Sequence, residues 1–288
     1  MKLDLTADSS VNRRFILLSP PGLPVGDTFR HIDADVGWRQ ELLSDMQRLR
    51  GRVYLHDGAI SEQDLTMDGR HVQRTDEEAW HLLILNPANR VVGCTRYLQY
   101  SASTSFNRLR IRSAALARSE QWSKPLRRAV ESELEDARRN GFSYVEVGGW
   151  ALDESVRGSI DALRSVLFTF AWSQVIGGCL GLSMATHRNG SASILRRIGG
   201  RPLEWRGQAL PPYYDPQYKC DMEVIRFDSR IPSVRYRPVI DEIRSQIPSM
   251  QVIATGIHSN AWRTFVSRLR NRPAVLVPWR TGGVAPAA

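Results

Sequence analysis

The chain has 288 residues, of which 42% are hydrophobic and 24% are charged, an ordinary composition for a folded protein. No apolar run reaches about 18 residues and the N-terminus has no apolar signal core, so we expect neither a transmembrane helix nor a secretion signal. The three cysteines are widely spaced and odd in number. They therefore predict neither a disulfide framework nor a metal site, and they favour a cytoplasmic location.

The formal charge of +9 comes from arginine, because lysine occurs at only three positions. Residues 229–288 carry nine arginines against two acidic residues, a net charge of +7. Such an excess favours acidic partners, which include phosphates, acidic proteins, nucleic acid and anionic membrane. The absence of a zinc-finger or helix-turn-helix signature argues against nucleic acid.

The first third of the chain alternates weakly patterned and regular segments. Residues 1–34 show little periodicity and several prolines, so we expect an irregular N-terminal arm. Apolar residues at three- and four-residue spacing over residues 38–49 predict a helix. Residues 80–85 and 90–98 predict two strands of a hairpin, joined by the turn residues Asn86-Pro87-Ala88-Asn89.

The middle of the chain predicts a mixed order of helices and strands, after a basic loop with a short strand over residues 99–119. The predicted elements are a helix from Pro125 to Asn140, a strand over Tyr144–Leu152, a helix from about Gly158 to Ile176, a strand over Leu180–Ala185, a helix from Asn189 to Ile198 and a strand over Met222–Phe227. No internal repeat is visible.

The segment from Val145 to Gly200 carries the most information. Two consecutive glycines, Gly148 and Gly149, interrupt a strand and indicate a bulge or a close backbone approach. The following Arg157-Gly158 stands at a helix start, where free backbone N–H groups favour a phosphate. The alternative is an arginine that only caps a surface helix, and local spacing alone favours this alternative.

The order of these elements resembles the core of the GNAT acyltransferase superfamily. In that family a bulged strand precedes a phosphate-cradling loop and helix, then a further strand, an Asn-containing helix start and a glycine after the helix. Here Val156-Arg157-Gly158-Ser159-Ile160 resembles the cofactor loop, and Asn189 with Gly199-Gly200 completes the unit. The resemblance implies one α/β domain over residues 35–228, with a mostly antiparallel sheet splayed near Glu146, helices on its faces and a C-terminal extension.

A narrower resemblance covers residues 48–200 and concerns the acyl-homoserine lactone synthases and N-acyl amino acid synthases, which take acyl chains from acyl carrier protein. Two positions depart from the usual pattern: Gln73 replaces an acidic residue and Gly149 replaces an arginine. The resemblance is carried by Arg50 with Tyr54, by Asp76, by the strand Val91–Leu98 with Arg96, and by Tyr144–Val147 with Glu146.

The two resemblances imply roles for three sets of residues. The implied catalytic set supplies a base, a backbone site for the thioester oxygen and a proton donor for the thiolate: Glu146, Gly148, Gly149, Trp150 and Tyr213. The implied phosphopantetheine site comprises Val156, Arg157, Gly158, Ser159 and Asn189. The implied acceptor site comprises Arg50, Tyr54, Asp76 and Arg96, in which a guanidinium suits a substrate carboxylate.

Three of these residues have structural alternatives that the sequence leaves open. Glu146 lies in an apolar strand, which suits a general base, but a solvent-facing position on an edge strand fits equally well. Arg96 fits a carboxylate clamp or an ion pair with Asp76. Tyr213 follows two prolines, and a packed proline-aromatic loop is the favoured alternative, because aromatic rings mostly serve packing.

The sequence thus predicts an N-acyltransferase that moves a medium or long acyl chain from acyl carrier protein or acyl-CoA to an amine, with an amino acid as the expected acceptor. The alternatives are a homoserine-lactone synthase that uses S-adenosylmethionine and a non-catalytic protein that binds nucleic acid or membrane. We expect an acidic carrier protein as partner. Three roles are open for residues 229–288: docking of the carrier protein, contact with anionic membrane, and a solvated arginine face on a packed extension. Trp262, Phe265, Val266 and Leu269 predict an amphipathic helix there.

Overall fold

The computed structural model describes residues 13–255 except Pro24, Gly26, Asp27 and Ala102. The helices are α1 (Val36–His56), α2 (Ser123–Asn140), α3 (Ile160–Val175), α4 (Ser191–Ile198) and α5 (Arg237–Gln246). The strands are β1 (Arg14–Leu18), β2 (His31–Asp33), β3 (Trp80–Leu85), β4 (Val91–Tyr100), β5 (Ser143–Leu152), β6 (Cys179–Thr186), β7 (Arg201–Pro202), β8 (Glu204–Trp205), β9 (Gln208–Ala209), β10 (Tyr213–Asp215), β11 (Cys220–Asp228) and β12 (Gln251–Ile253).

The described strands form a sheet of ten in the order β10-β11-β6-β5-β4-β3-β1-β12-β2, with β7 paired to β11. The small hairpin of β8 and β9 stands apart from it. Most neighbours are antiparallel, whereas β5 pairs with β6 in parallel and β12 pairs in parallel with both β1 and β2. The predicted mixed α/β fold with a mostly antiparallel sheet is confirmed.

Helices cover both faces of the sheet, as the alternation of side chains along each strand dictates. In β1, Ile16 and Leu18 pack into the cluster that includes the apolar face of α1. Leu17, between them, packs into the opposite cluster with residues of α3 and α5. In β5, Tyr144 packs with α2 and Val145 packs with α3. The sheet is therefore the middle layer of three, with α1 and α2 on one face and α3 and α5 on the other.

Local sequence signals place the two helices that flank the middle of the sheet. α2 buries five apolar residues along one face and ends at Gly141, whose φ of +67° is the left-handed conformation that glycine adopts readily. α3 begins after Ser159, whose hydroxyl oxygen accepts a hydrogen bond from the Ala162 N–H at 3.3 Å. Of the helices within residues 13–255, none is long and apolar enough to span a membrane.

Both ends of the described chain contribute to the sheet, which corrects the expectation for residues 1–34. That segment is not irregular throughout, because it supplies β1 and β2. Of the predicted C-terminal extension, residues 229–255 add α5 and the strand β12, which lies between β1 and β2. Parallel pairing of strands so distant in the chain leaves no local pattern for sequence analysis to detect. The helix predicted around Trp262 lies outside the described residues.

The segment expected to be a basic loop with a short strand is largely helical instead. β4 continues to Tyr100, and three single turns of 3-10 helix follow at Phe106–Arg108, Arg110–Ser113 and Ala115–Arg118. Their apolar residues, among them Ile111 and Leu116, are buried against α2. The basic side chains between these apolar residues had suggested an exposed loop.

Candidate active site

The neighbouring strands β5 and β6 separate part-way along their length. They pair in parallel as far as Glu146 and Leu182, and no further pair follows between their described residues. After Gly148, β5 carries a bulge in which two residues face one residue of β4, and Gly149 adopts a φ of +63°. A bulge bends a strand and increases its twist, so β5 turns away from β6 at this point. The predicted splay near Glu146 is confirmed.

A cavity of about 590 Å³ lies where the two strands have separated. Its size is typical of a ligand site. Towards α3 and α4 it is lined by apolar side chains, namely Leu163, Val166, Ile194 and Ile198. Towards α1 and α2 its lining includes the polar residues Tyr54, Arg96, Arg110, Glu146 and Tyr218, beside apolar ones such as Leu182 and Met222. The backbone of residues 148–150 borders the cavity on its β5 side, where ladder bonds to β6 have ended.

The N-terminus of α3 borders one mouth of the cavity. Arg157, Gly158 and Ser159 all line it, as the sequence predicted for a phosphate loop. The first N–H groups of a helix lack intrahelical partners and carry the positive end of the helix dipole. Gly158 has a φ of +75° and no atom within 4 Å of the position that a Cβ would occupy, so the backbone is open to a ligand here. This combination suits an anion.

Asp57, the residue after α1, links three side chains around the same mouth. Its Oδ2 accepts a hydrogen bond from Asn189 Nδ2 at 3.1 Å, and its Oδ1 lies 3.7 Å from Arg157 Nη2. Its backbone oxygen accepts a hydrogen bond from Arg188 Nη1 at 3.0 Å. Arg157, Arg188 and Asn189 therefore border one opening, although they come from different parts of the sequence.

One residue of the predicted phosphate loop, and the acidic residue that follows the loop in α3, point away from the cavity. Val156 is fully buried in an apolar cluster and does not line the cavity, so its assignment to the phosphopantetheine site is not supported. Asp161, a negative charge in the first turn of α3, pairs with Arg13 at 3.2 Å and does not line the cavity either. Because Arg13 neutralises Asp161, this carboxylate opposes a bound phosphate only weakly.

Glu146 lines the cavity and accepts three hydrogen bonds. Its Oε2 accepts from the Tyr100 hydroxyl at 2.5 Å and from the Arg110 N–H at 2.8 Å, and its Oε1 accepts from the Ile111 N–H at 2.9 Å. The side chain is 5% exposed in the interior of the sheet, so the alternative of a solvent-facing residue on an edge strand is wrong. A carboxylate has about four lone-pair directions, so about one remains for a further partner.

Arg50 and Asp76 form a buried ion pair behind the cavity. Arg50 Nη1 lies 2.8 Å from Asp76 Oδ1 and Nη2 lies 2.6 Å from Oδ2, and both side chains are almost inaccessible. Burial opposes the ionisation of Asp76, but the hydrogen bonds and charge of Arg50 outweigh it and hold the pKa of Asp76 below its usual value. Neither residue lines the cavity. The structure therefore supports a structural role for this pair.

Arg96 and Arg110 meet at the polar end of the cavity. Arg96 Nη1 donates to Gln73 Oε1 at 2.5 Å and to Thr75 Oγ1 at 3.0 Å, and it lies 3.5 Å from Asp76 Oδ1. Arg110 Nη1 donates to the same Gln73 oxygen at 3.4 Å. The sequence analysis missed Arg110. The only signal was the basic character of residues 99–119, which does not single out one arginine.

The predicted proton donor, Tyr213, does not line the cavity. It is buried in the apolar cluster against α2. Tyr218, five residues later, lines the cavity and makes an edge contact with the ring of Tyr54 at 6.3 Å between centroids. Burial raises the pKa of Tyr218 and of Tyr54, so both hydroxyls are protonated near neutral pH. Tyr54 was predicted here, whereas no sequence pattern distinguished Tyr218 from the other tyrosines.

Comparison with known proteins gives matches to solved structures only. No protein-family model matches the chain, and no curated protein matches it. The CoA-dependent acyl-homoserine lactone synthase BjaI, solved with SAM and isopentyl-CoA, matches with a TM-score of 0.50 and 16% identity. That match covers 89% of this chain and 99% of BjaI. The N-acyl amino acid synthase FeeM from uncultured soil microbes matches with a TM-score of 0.46 and 12% identity, over 77% of this chain and 93% of FeeM.

These matches concern the fold. The chain has a GNAT-like fold that resembles the fold of acyl-homoserine lactone synthases, as the sequence predicted.

Among the described residues, no group of three or more His, Cys, Asp or Glu is arranged to hold a metal ion.

The buried ion pair behind the cavity yields a prediction about stability. Asp76→Asn leaves the Arg50 charge buried and uncompensated, which should lower the free energy of unfolding by about 3–5 kcal/mol near pH 7. Because the pKa of Asp76 is depressed, its contribution is present above the ordinary value of 3.8 and is lost as the pH falls through the folded-state pKa. The difference in the free energy of unfolding between the wild type and Asp76→Asn should therefore become smaller below about pH 4.

Urea unfolding followed by circular dichroism measures this difference. Asp68→Asn is the matched control, because Asp68 also pairs with two arginines but is exposed. The control should change stability little. A loss for Asp76→Asn no larger than for the control would contradict the structural role.

Proposed function

We propose that this protein is an N-acyltransferase that moves an acyl chain from a pantetheine thioester to the amine of an amino acid. The observation that carries the proposal is the cavity between β5 and β6, which has the N-terminus of α3 with Arg157 at one mouth and Arg96 and Arg110 at its polar end. An extended thioester needs such an opening through the sheet, so that donor and acceptor can approach from opposite faces. The GNAT-like fold supports the same conclusion.

The donor is proposed to enter at the N-terminus of α3. The phosphates would meet Arg157 and the N–H groups that begin this helix, with Arg188 and Asn189 across the opening. The pantetheine arm would then lie along the unpaired backbone of β5. The apolar side chains of α3 and α4 offer a surface for the acyl chain.

The thioester carbonyl is proposed to lie at the bulge of β5. Residues 148–150 line the cavity beyond the end of the β5–β6 ladder, and two of these residues face a single residue of β4. Their backbone N–H groups are the proposed donors. Donors fixed by a folded backbone stabilise an oxyanion without reorganisation, which is the usual way that acyl transfer is accelerated. The role proposed for Trp150 in holding the thioester oxygen belongs to its backbone N–H group and not to its side chain.

Glu146 and Tyr218 are the proposed proton carriers. Glu146 would take a proton from the ammonium group, directly or through one water on its remaining lone pair. The amine nitrogen then forms a bond to the thioester carbon, the C–S bond breaks, and the thiolate takes a proton from Tyr218. The nitrogen loses its second proton, which returns through water to Tyr218 and restores the hydroxyl. The products are an amide and a free thiol, and one proton passes to solvent. Tyr218 replaces Tyr213 as the proposed proton donor because, of these two tyrosines, Tyr218 is the one that lines the cavity.

The donor carrier is proposed to be acyl-CoA or an acidic acyl carrier protein. BjaI was solved with isopentyl-CoA, and the cavity mouth here offers positive charge for the CoA phosphates. Tyr236 lines the cavity, and Arg235 and Arg237 beside it are exposed. An acidic carrier protein would meet these arginines on residues 229–255, which lie within the predicted docking segment. Contact of residues 229–288 with anionic membrane remains a second proposal.

A direct assay combines purified protein with acyl-CoA of varied chain length and a panel of amino acids. Thiol release measured with a chromogenic disulfide should coincide with N-acyl amino acids detected by mass spectrometry. Absence of both, with acyl-CoA and with acyl carrier protein donors, would overturn the proposal. An acylated lactone formed from S-adenosylmethionine would instead assign the homoserine-lactone activity.

Glu146→Gln should lower kcat/KM about 10²–10³-fold near pH 7, because the amine loses its base. The deficit should shrink as the pH rises towards 9, about tenfold per pH unit, since the variant uses the free amine, whose fraction rises in that proportion. A pH–rate profile of both proteins measures this effect. Tyr100→Phe is the control, because it removes one bond to the carboxylate and keeps the base. A deficit that is constant with pH would instead make Glu146 a positioning residue.

Arg157→Ala should raise the KM for acyl-CoA about tenfold, the effect of one charge-assisted hydrogen bond. It should leave the KM for an acyl-N-acetylcysteamine thioester unchanged, because that donor lacks phosphates. Initial-rate kinetics with the two donors separates the effects. The exposed Arg201, which does not line the cavity, gives the control Arg201→Ala. Equal effects of Arg157→Ala on both donors would contradict a phosphate-binding role.

A further inference from the structure

Arg110 is held at the cavity by the same carboxylate that is proposed as the base. It opens the turn Arg110–Ser113, and the N–H groups of Arg110 and Ile111 both donate to Glu146. This anchoring fixes the backbone of the turn on the sheet. The side chain of Arg110 is half-buried and lines the polar end of the cavity.

Two guanidinium groups converge there on one neutral oxygen. Arg96 and Arg110 both donate to Gln73 Oε1, at 2.5 and 3.4 Å. Like charges that approach each other are costly, and an uncharged amide oxygen offsets this cost less than a carboxylate would. The arrangement therefore favours a negatively charged ligand between or beside the two arginines.

The local charges leave one positive charge without a protein partner. Three guanidiniums, those of Arg50, Arg96 and Arg110, stand against two carboxylates, those of Asp76 and Glu146. Glu146 accepts its hydrogen bonds from a hydroxyl and from backbone N–H groups, and not from a guanidinium. Asp76 is engaged by two of them, and Arg110 makes no ion pair with any carboxylate in the part of the chain that the structure describes. A single carboxylate on the ligand would complete the balance.

This polar cluster lies beside the bulge of β5. Arg96 Nη2 is 3.8 Å from the position that a Cβ on Gly148 would occupy, and Arg96 Cβ is 3.2 Å from the corresponding position on Gly149. The carboxylate of an α-amino acid is separated from its nitrogen by one carbon atom. A carboxylate held here thus keeps its amine within reach of a thioester carbonyl at the bulge.

We propose that Arg110, together with Arg96, binds the carboxylate of the acceptor, and that Arg110 makes the enzyme select free amino acids over amines that lack a carboxylate. The inference rests on the proposed N-acyl transfer and adds the residue that determines acceptor specificity. Gln73 has a matching role, because its neutral side chain leaves both guanidiniums available to the substrate.

The test compares an amino acid with its methyl ester as acceptors, with the same acyl-CoA donor. Arg110→Ala should reduce the preference for the free acid, expressed as the ratio of the two kcat/KM values, about tenfold. Turnover of the ester, which has no carboxylate for Arg110 to bind, should fall less than turnover of the acid. Dividing the variant's ratio by that of the wild type cancels the different basicities of the two amines. Arg110→Lys, which keeps the charge, should retain part of the preference.

Two further variants keep the test independent of folding. Gln73→Glu supplies a protein carboxylate to the two guanidiniums and should reduce the preference as Arg110→Ala does, without removing either arginine. Arg112→Ala removes an exposed arginine of the same turn that does not line the cavity, and it should leave the ratio unchanged. Equal losses with acid and ester in the Arg110 and Gln73 variants would overturn the proposal.

Binding measurements separate this proposal from the proposed function. Calorimetry should show that the wild type binds an N-dodecanoyl amino acid more tightly than its amide, and that Arg110→Ala reduces this difference in affinity. If no acceptor is acylated but this difference is found, the acyl transfer fails and the carboxylate site stands. The opposite result is that acylation occurs while Arg110→Ala changes neither the acid-to-ester ratio of kcat/KM nor the difference in affinity between acid and amide. That result would contradict the carboxylate site and support the acyl transfer.

Discussion

Parallel strands β5 and β6 exchange hydrogen bonds only as far as Glu146 and Leu182, because the bulge that follows on β5 bends this strand away from its neighbour. The bulge needs Gly149, whose φ of +63° is strained for most other residues. Separation of the strands exposes backbone groups that a closed ladder would have used. The cavity and its position between α1 and α2 on one face and α3 and α4 on the other follow from this one departure from regular pairing.

Around this opening, few residues serve a single purpose. Glu146 faces the cavity and also anchors the turn that carries Arg110, so the proposed base and the proposed acceptor site are mechanically connected. Asp57 connects the end of α1 to Arg157 and Asn189 at the mouth proposed for the donor. The buried pair of Arg50 and Asp76 supports Arg96 from behind. The site is thus held by hydrogen-bonded charges that reach across elements far apart in the sequence.

Sequence analysis found the parts of the fold that leave a local pattern. The helices α1 to α3, the hairpin of β3 and β4 and the glycine-interrupted strand β5 were predicted from periodicity and turn residues, and with them Arg157, Gly158 and Glu146 at the cavity. It missed β1, β2 and β12, which are short and are stabilised by distant strands. It named Tyr213 as the proton donor and overlooked both Tyr218 and Arg110, because which side chain reaches a cavity depends on tertiary packing and not on spacing.

The central claim is that a pantetheine arm lies between β5 and β6 with its carbonyl at the bulge. A crystal structure with a non-hydrolysable thioether analogue of acyl-CoA tests this claim most directly. The account predicts the phosphates at the N-terminus of α3, the arm along residues 148–150 and the carbonyl oxygen within hydrogen-bond distance of a backbone N–H of the bulge. An analogue bound elsewhere, with β5 and β6 paired beyond Glu146 and Leu182, would contradict it.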